Sequence, residues 1–271
     1  MLPKEISQLT GISPSLQLRR GESSESRVIP RHNIWALDST IESCDVAEHW
    51  ETLRPALNQA RDDLRVIAKG GKAKFSIVVE SALARRYPRL GVLQFDAHPD
   101  LYAVGAACDE QLNHANVMHR VRRMAHVKAL WQVGVRDFFH QPTDGVAAVR
   151  DTKVHKLSAF EAETSGYQRL LDGMDPTLPW FITFDVDALA VAELPQTATP
   201  VLGGLSFYPL LACFERLFRD FQIVGMEFVE IGDSIPGAHG PAAIAARLAS
   251  RYLFHLRNAS STPGLLYAPG K

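Results

Sequence analysis

The sequence predicts an α/β fold built on a mainly parallel sheet that is covered on both faces. Three observations predict it. Short runs rich in Val, Ile and Phe alternate with longer amphipathic stretches, the pattern of successive strand and helix units. Several of these runs are predominantly apolar rather than strictly alternating, as strands buried on both faces require. Two of them lead directly into clustered acidic residues, which puts polar chemistry at strand ends, where open parallel sheets form their clefts.

Taken in order, residues 1–30 mix Ser, Pro, Arg and Glu without periodicity and read as an irregular N-terminal arm. Residues 31–271 read as a single α/β domain. Strands are expected near 33–36, 64–68, 91–95, 129–135, 180–184 and 223–229, and helices over 46–63, 75–87, 115–124, 208–218 and 241–255. Gly70-Gly71 and Gly203-Gly204 punctuate the pattern as turns.

Composition narrows the function. The chain of 271 residues is 46% hydrophobic and 22% charged, enough for one large domain with a core. Its 29 Lys and Arg against 30 Asp and Glu leave no broad basic field for nucleic acid or an anionic membrane, so small molecules or other chains are the expected partners. Cys44, Cys108 and Cys213 are widely spaced and form no CxxC pair, which argues against a disulfide framework or thiolate zinc site and suits a reducing, cytoplasmic setting. No apolar run approaches the roughly 18 residues of a membrane span. Serine-hydrolase GxSxG, zincin HExxH and dinucleotide GxGxxG motifs are absent from the sequence.

The segment GVLQFDAHPDLY carries the most chemistry. An apolar strand ends and delivers Asp96, His98 and Asp100, and residues two apart in extended chain point the same way. Hard oxygens with one imidazole suit Mn or a similar divalent ion. Alone, the same residues also fit a strand-end turn with capping aspartates. The segment WFITFDVD repeats the design with Asp185 and Asp187, and four aspartates at two strand ends would repel strongly unless a cation lies between them. A metal site is therefore the favoured reading. On a third strand, QIVGMEFVEI, Glu230 is a better candidate than Glu227 to receive a guanidinium or amine through charge-assisted hydrogen bonds, although an exposed terminal glutamate competes with that role. In LNHANVMH, His114 ranks ahead of His119 as a proton shuttle, a role that depends on the resemblance that follows.

These motifs together resemble the ureohydrolases, the arginase and agmatinase superfamily, and are most similar to agmatinases. Besides DAHPD and TFDVD, the resemblance rests on LNHANVM, WQVGVR, TPVLGGLS, IVGMEFVEI and a final Ala-rich helix, in the family's order, from Leu64 to Leu256. The first sixty residues match poorly. The resemblance implies a three-layer α/β/α fold with a doubly wound sheet. It also implies a dinuclear manganese cluster that activates a hydroxide for attack on a guanidinium carbon, with urea released. In that scheme Asp96 and Asp185 bridge the metals, His98 and Asp187 complete one site, and Asp100 serves the other. His114 matches the proton shuttle, and Glu230 matches the acid that grips the guanidinium.

One expected ligand is missing. The family's Gly-Gly-Asp-His segment reads Gly70, Gly71, Lys72 and Ala73 here, so one Mn2+ is expected to bind firmly and a second weakly or not at all. Lys72 and Lys74 flank the gap, where an ammonium would stand in for lost positive charge. Ala188 to Val191 replace the family's Asp-Pro pair, and LPQTATP and GDSIPGAHG also depart from its pattern, which leaves the substrate open. The expected function is metal-dependent hydrolysis of a guanidino or related amidine or amide C-N bond. The alternative is a non-catalytic relative that keeps the pocket for binding or regulation. A homo-oligomer is compatible with either.

Overall fold

In the computed structural model, the described residues are 83–84, 86–101, 114–136, 151–194, 197, 199–230 and 240–261, together with the backbone of three strands at 25–29, 34–38 and 65–69. They build an eight-stranded sheet from β1 (Glu25–Ile29), β2 (Ile34–Asp38), β3 (Arg65–Lys69), β4 (Leu90–Phe95), β5 (Val127–Val133), β6 (Val154–Leu157), β7 (Trp180–Asp185) and β8 (Ile223–Val229). The order across the sheet is β1-β2-β3-β8-β7-β4-β5-β6. Only the β1–β2 pair is antiparallel.

The described helices are α1 (Val117–Val121), α2 (Ala159–Ser165), α3 (Gln168–Gly173), α4 (Phe207–Asp220) and α5 (Gly240–Ser261). One face of the sheet, carrying Leu93, Phe95, Val133, Ile182, Phe184, Met226 and Phe228, shares a continuous core with Leu170 of α3, Phe214 and Leu217 of α4 and Leu248 and Tyr252 of α5. The rings of Phe95, Phe184 and Phe214 meet there at centroid distances of 4.9 to 6.0 Å, within the range of favourable aromatic pairing. Val117, Met118 and Val121 of α1 are buried outside that core. The expected α/β architecture is therefore the one observed.

Four elements lie where the sequence reading placed none. β1 falls inside the stretch read as an irregular arm. β6 was hidden because Val154, His155 and Lys156 are only partly buried or exposed, as at a sheet edge. α2 and α3 are short, and α2 opens on a legible signal: Ser158 accepts from the Glu161 amide while Glu161 caps the Ser158 amide, a reciprocal capping box. The helix expected over 115–124 is instead a 3-10 turn, His114–Asn116, followed by α1, because the amides of Arg123 and Met124 tighten to carbonyls three residues back. The helix expected over 46–63 and most of that over 75–87 lie outside the described residues, as do Cys44, Cys108, Lys72, Ala73 and Lys74. Among the described residues no helix is long and apolar enough to cross a membrane.

The topology creates a cleft. From β4 the chain crosses to β5 on one side, and from β7 to β8 on the other, although β4 and β7 are neighbours. The segments leaving these two strand ends diverge and open a crevice between them.

Candidate metal centre

β4 and β7 pair in parallel through Phe95↔Phe184, so Asp96 and Asp185 stand at matching strand ends. Asp96, His98 and Asp187 converge there, each offering a ligand atom within 4.8 Å of the others. His98 Nδ1 lies 3.0 Å from Asp187 Oδ2 and 3.5 Å from Asp96 Oδ1. The His98 amide donates to Asp96 Oδ1 at 2.6 Å, and the Ala97 amide donates to Asp187 Oδ1 at 3.0 Å. Asp185 joins through its Oδ1, which accepts from the Asp187 amide at 2.9 Å and starts the Val186–Ala188 3-10 turn. All four aspartates, Asp100 included, are buried, while the His98 side chain is 23% exposed.

Such crowding shows in the titration of the groups. Burial, then the charge of Asp187, pushes the Asp96 carboxyl up to about 7. Burial and neighbouring acids likewise push Asp100 and Asp185 well up. Burial works on Asp187 too, but the hydrogen bond and charge of His98 outweigh it and hold that carboxyl below the usual range. The His98 imidazole is pushed up to about 10 by its hydrogen bonds to Asp187 and Asp96. The different fates of Asp96 and Asp187 follow from distance, since the imidazole sits closer to Asp187. One imidazolium therefore serves a cluster of buried acids, three of which retain protons above their ordinary range. A divalent cation relieves that demand, and carboxylate oxygens with one imidazole nitrogen are a donor set for Mn-type ions, so the residues fit the group.

Of the residues expected at the site, the structure brings Asp96, His98 and Asp187 into one trio, with Asp185 tied to it. Asp100 stands outside the trio but within its field. Glu230 follows β8, half-buried, and its charge is felt at both Asp100 and Asp185. Asp100 and Glu230 both adopt positive φ, 50° and 55°, uncommon for residues with a side chain and of a kind that clusters at functional sites. His114 lies on the 3-10 turn before α1, and its side chain is outside the described residues.

Three contributors escaped the sequence reading. Gln94 and Gln132 are polar residues inside otherwise apolar strands, a signal that was available. Arg136 follows β5 and drives its guanidinium into the carbonyls around the cleft: Nη2 donates to Asp187 O at 2.8 Å and Val201 O at 3.1 Å, Nη1 to Ala188 O at 3.3 Å, and Nε to Leu202 O at 3.2 Å. It clasps the turn carrying Asp187 to the 201–202 segment. Gly204 lets that segment close, because at φ 124° a Cβ would meet Leu189 O at 2.5 Å.

A mainly parallel α/β sheet with an acid-and-imidazole cluster at two central strand ends defines an arginase-like α/β architecture. The chain belongs to the arginase family, whose sequence pattern matches residues 6–255. The match reaches into the first sixty residues, where the motif resemblance is poor. An agmatinase of Sodalis glossinidius (strain morsitans) is 28% identical over 196 residues, covering 70% of this chain and 59% of that protein. An agmatinase of Escherichia coli (strain K12 / DH10B) is 28% identical over 192 residues, with the same coverage of 70% and 59%. The chain thus spans about 59% of the length of these curated relatives. Among solved structures, a hypothetical agmatinase from Burkholderia thailandensis superposes with a TM-score of 0.64 at 27% identity, covering 80% of this chain and 65% of that one. The agmatine ureohydrolase of Thermoplasma volcanium, at 22% identity, TM-score 0.65 and coverage of 82% and 73%, supports the fold.

Proposed function

We propose that the protein is a metal-dependent amidinohydrolase that cleaves a C-N bond of a small guanidino or related amidine compound. The observation that carries this reading is the convergence of Asp96, His98 and Asp187 within 4.8 Å at the ends of two adjacent central strands. These three, with Asp185 beside them, would hold the first ion. A second would draw on Asp100, with Ala73 in place of the imidazole that the family resemblance calls for. Manganese is the ion we assign. When bound, it supplies Lewis-acid activation of water at neutral pH.

The remaining work belongs to the chain. Glu230 at the third strand end receives the positive guanidinium or amine by charge-assisted hydrogen bonds and turns its carbon toward the cleft. His114, on the turn entering α1, takes up the proton lost by the attacking water and delivers it to the departing amine. Relatives carrying the names agmatinase and agmatine ureohydrolase make agmatine the first substrate to try.

The test is turnover by manganese-loaded protein on agmatine, arginine, guanidino acids and a formimidoyl amino acid, reading urea, formamide and amine release. Metal-dependent product from one of them supports the proposal. Tight manganese binding with no turnover across the panel overturns it in favour of a binding or regulatory role.

A further inference from the structure

We propose that Gln94 is a positioning residue for the metal centre and that Gln132 sets its orientation, the two buried amides forming a one-way hydrogen-bond chain that ends on Asp96 Oδ2. The inference rests on the metal reading above and concerns residues that reading does not use.

Gln94 and Gln132 are 1% and 0% exposed. They face each other across β4 and β5, and the same row continues through Thr183 on β7 to Glu227 on β8. A polar layer thus lies one step below the strand ends that carry Asp96 and Asp185. Alternation puts Gln94 on the same side of β4 as Asp96. Apolar side chains would pack a doubly covered sheet at these positions with no need for partners.

The direction of the chain is fixed by its far end. Gln132 Nε2 donates to Gln94 Oε1 and to Pro99 O, both at 2.6 Å. Turning that amide over would set its own oxygen against two oxygens. Gln132 Oε1 has no hydrogen-bond partner among the described residues, a costly state for a buried acceptor, and it persists because reversal would break both bonds. With its Oε1 held as an acceptor, Gln94 presents Nε2 to Asp96 Oδ2 at 2.7 Å and to His98 O at 3.5 Å. A reversed Gln94 would aim a carbonyl oxygen at a carboxylate.

The consequence falls on Asp96. Its Oδ2 takes the Gln94 amide and its Oδ1 takes the His98 amide at 2.6 Å, so one lone pair on each oxygen is committed and the carboxylate plane is locked. The free lone pairs are left for a cation. The same amides grip the carbonyls of His98 and Pro99, so the DAHPD turn is positioned with the ligand.

The test uses the full chain with Gln94→Met, Gln132→Met and the double variant, which keep side-chain length and remove the amides. Manganese dissociation constants are read by calorimetry, beside thermal midpoints in chelator. Gln94→Met is expected to weaken manganese binding about 10- to 100-fold, the range for partners that orient a ligand, and Gln132→Met by a smaller factor. The double variant should lose clearly less affinity than the product of the two single losses, because Gln132 acts mainly through Gln94 and directly only through its bond to Pro99 O. Unchanged affinity in Gln94→Met, or losses that multiply in the double variant, overturns the relay. A wild-type protein that binds no manganese overturns instead the metal reading beneath it. Should the variants fail to fold, side-chain amide resonances of the unsubstituted protein decide: two glutamine amides must exchange slowly with solvent, and rapid exchange of every one overturns the proposal.

Discussion

Stripping the protein with a chelator and raising the pH from 4 toward 10 is expected to destabilise it progressively, while manganese should cancel the effect. The sign follows from proton counts. Asp96 titrates at about 7 in the folded chain, against 3.8 for an ordinary aspartate, so between these values the folded state holds a proton that the unfolded state has lost. Stability therefore falls as pH rises through that window. Three units at 1.36 kcal/mol each give on the order of 4 kcal/mol from Asp96, and Asp100 and Asp185 act in the same direction. His98, raised to about 10, contributes stability that is complete below its ordinary 6.5 and lost as pH climbs through 10, so the decline continues. The depressed Asp187 has the opposite sign, but its contribution varies only below the ordinary value of 3.8. For a domain of this size, 4 kcal/mol corresponds to a drop in midpoint of roughly 10 °C. The assay is thermal unfolding by circular dichroism at half-unit pH steps in chelator and in excess manganese. In manganese the carboxylates ionise on binding, so the gap between the two curves should widen with pH. A chelated midpoint that stays flat or rises between pH 5 and pH 7 would refute the electrostatic reasoning.

Other perturbations separate ligand, clasp and core. Asp187→Asn keeps the size of the side chain but removes a charge that His98 and the ion share; manganese affinity should fall by more than the roughly 100-fold upper range of outer-shell losses, with metal-free stability changed by less than about 1 kcal/mol because relief at Asp96 and Asp185 offsets the lost bond. Calorimetry and denaturant titration of the same preparation check both halves. Arg136→Lys replaces a fork with a point charge that cannot reach the carbonyls of Asp187, Ala188, Val201 and Leu202 together, and should cost about 3 kcal/mol in denaturant unfolding. Gly91→Ala would place a methyl group on the Trp180 ring inside the sheet and should cost about 1–3 kcal/mol, read as a shifted urea midpoint with unchanged slope.

The central strands were legible because their physics is local. In β4 and β7 a largely apolar run, broken by Gln94 and Thr183, is both strand-forming and compatible with burial on two faces, and the aspartates that follow mark the strand ends. The convergence of Asp96 with His98, and of Asp185 with Asp187, was legible for the same reason, since two-residue spacing puts each pair on one side; that the two pairs meet rests on the β4–β7 pairing. Strand order was not, because nothing in either segment states that β7 inserts beside β4 rather than β6.

What escaped depends on partners distant in sequence. Among the described strands β6 pairs with β5 alone, and Val154, His155 and Lys156 lack the apolar signature of a central strand. Arg136 in WQVGVR acquires its role only once the 187–189 and 201–202 carbonyls fold around it. Gln94 stands within the key motif, yet its role depends on the β4–β5 register that sets it opposite Gln132. The capping box at Ser158 and Glu161 was a local signal that could have announced α2.

Crystals grown with manganese, with diffraction recorded on both sides of its absorption edge, test the metal assignment most directly. An anomalous peak bonded to Asp96, His98 and Asp187 is expected, with about one firmly held ion per chain by elemental analysis of the same batch. Ordered side chains at these three positions that surround only solvent, with no manganese retained, would contradict it.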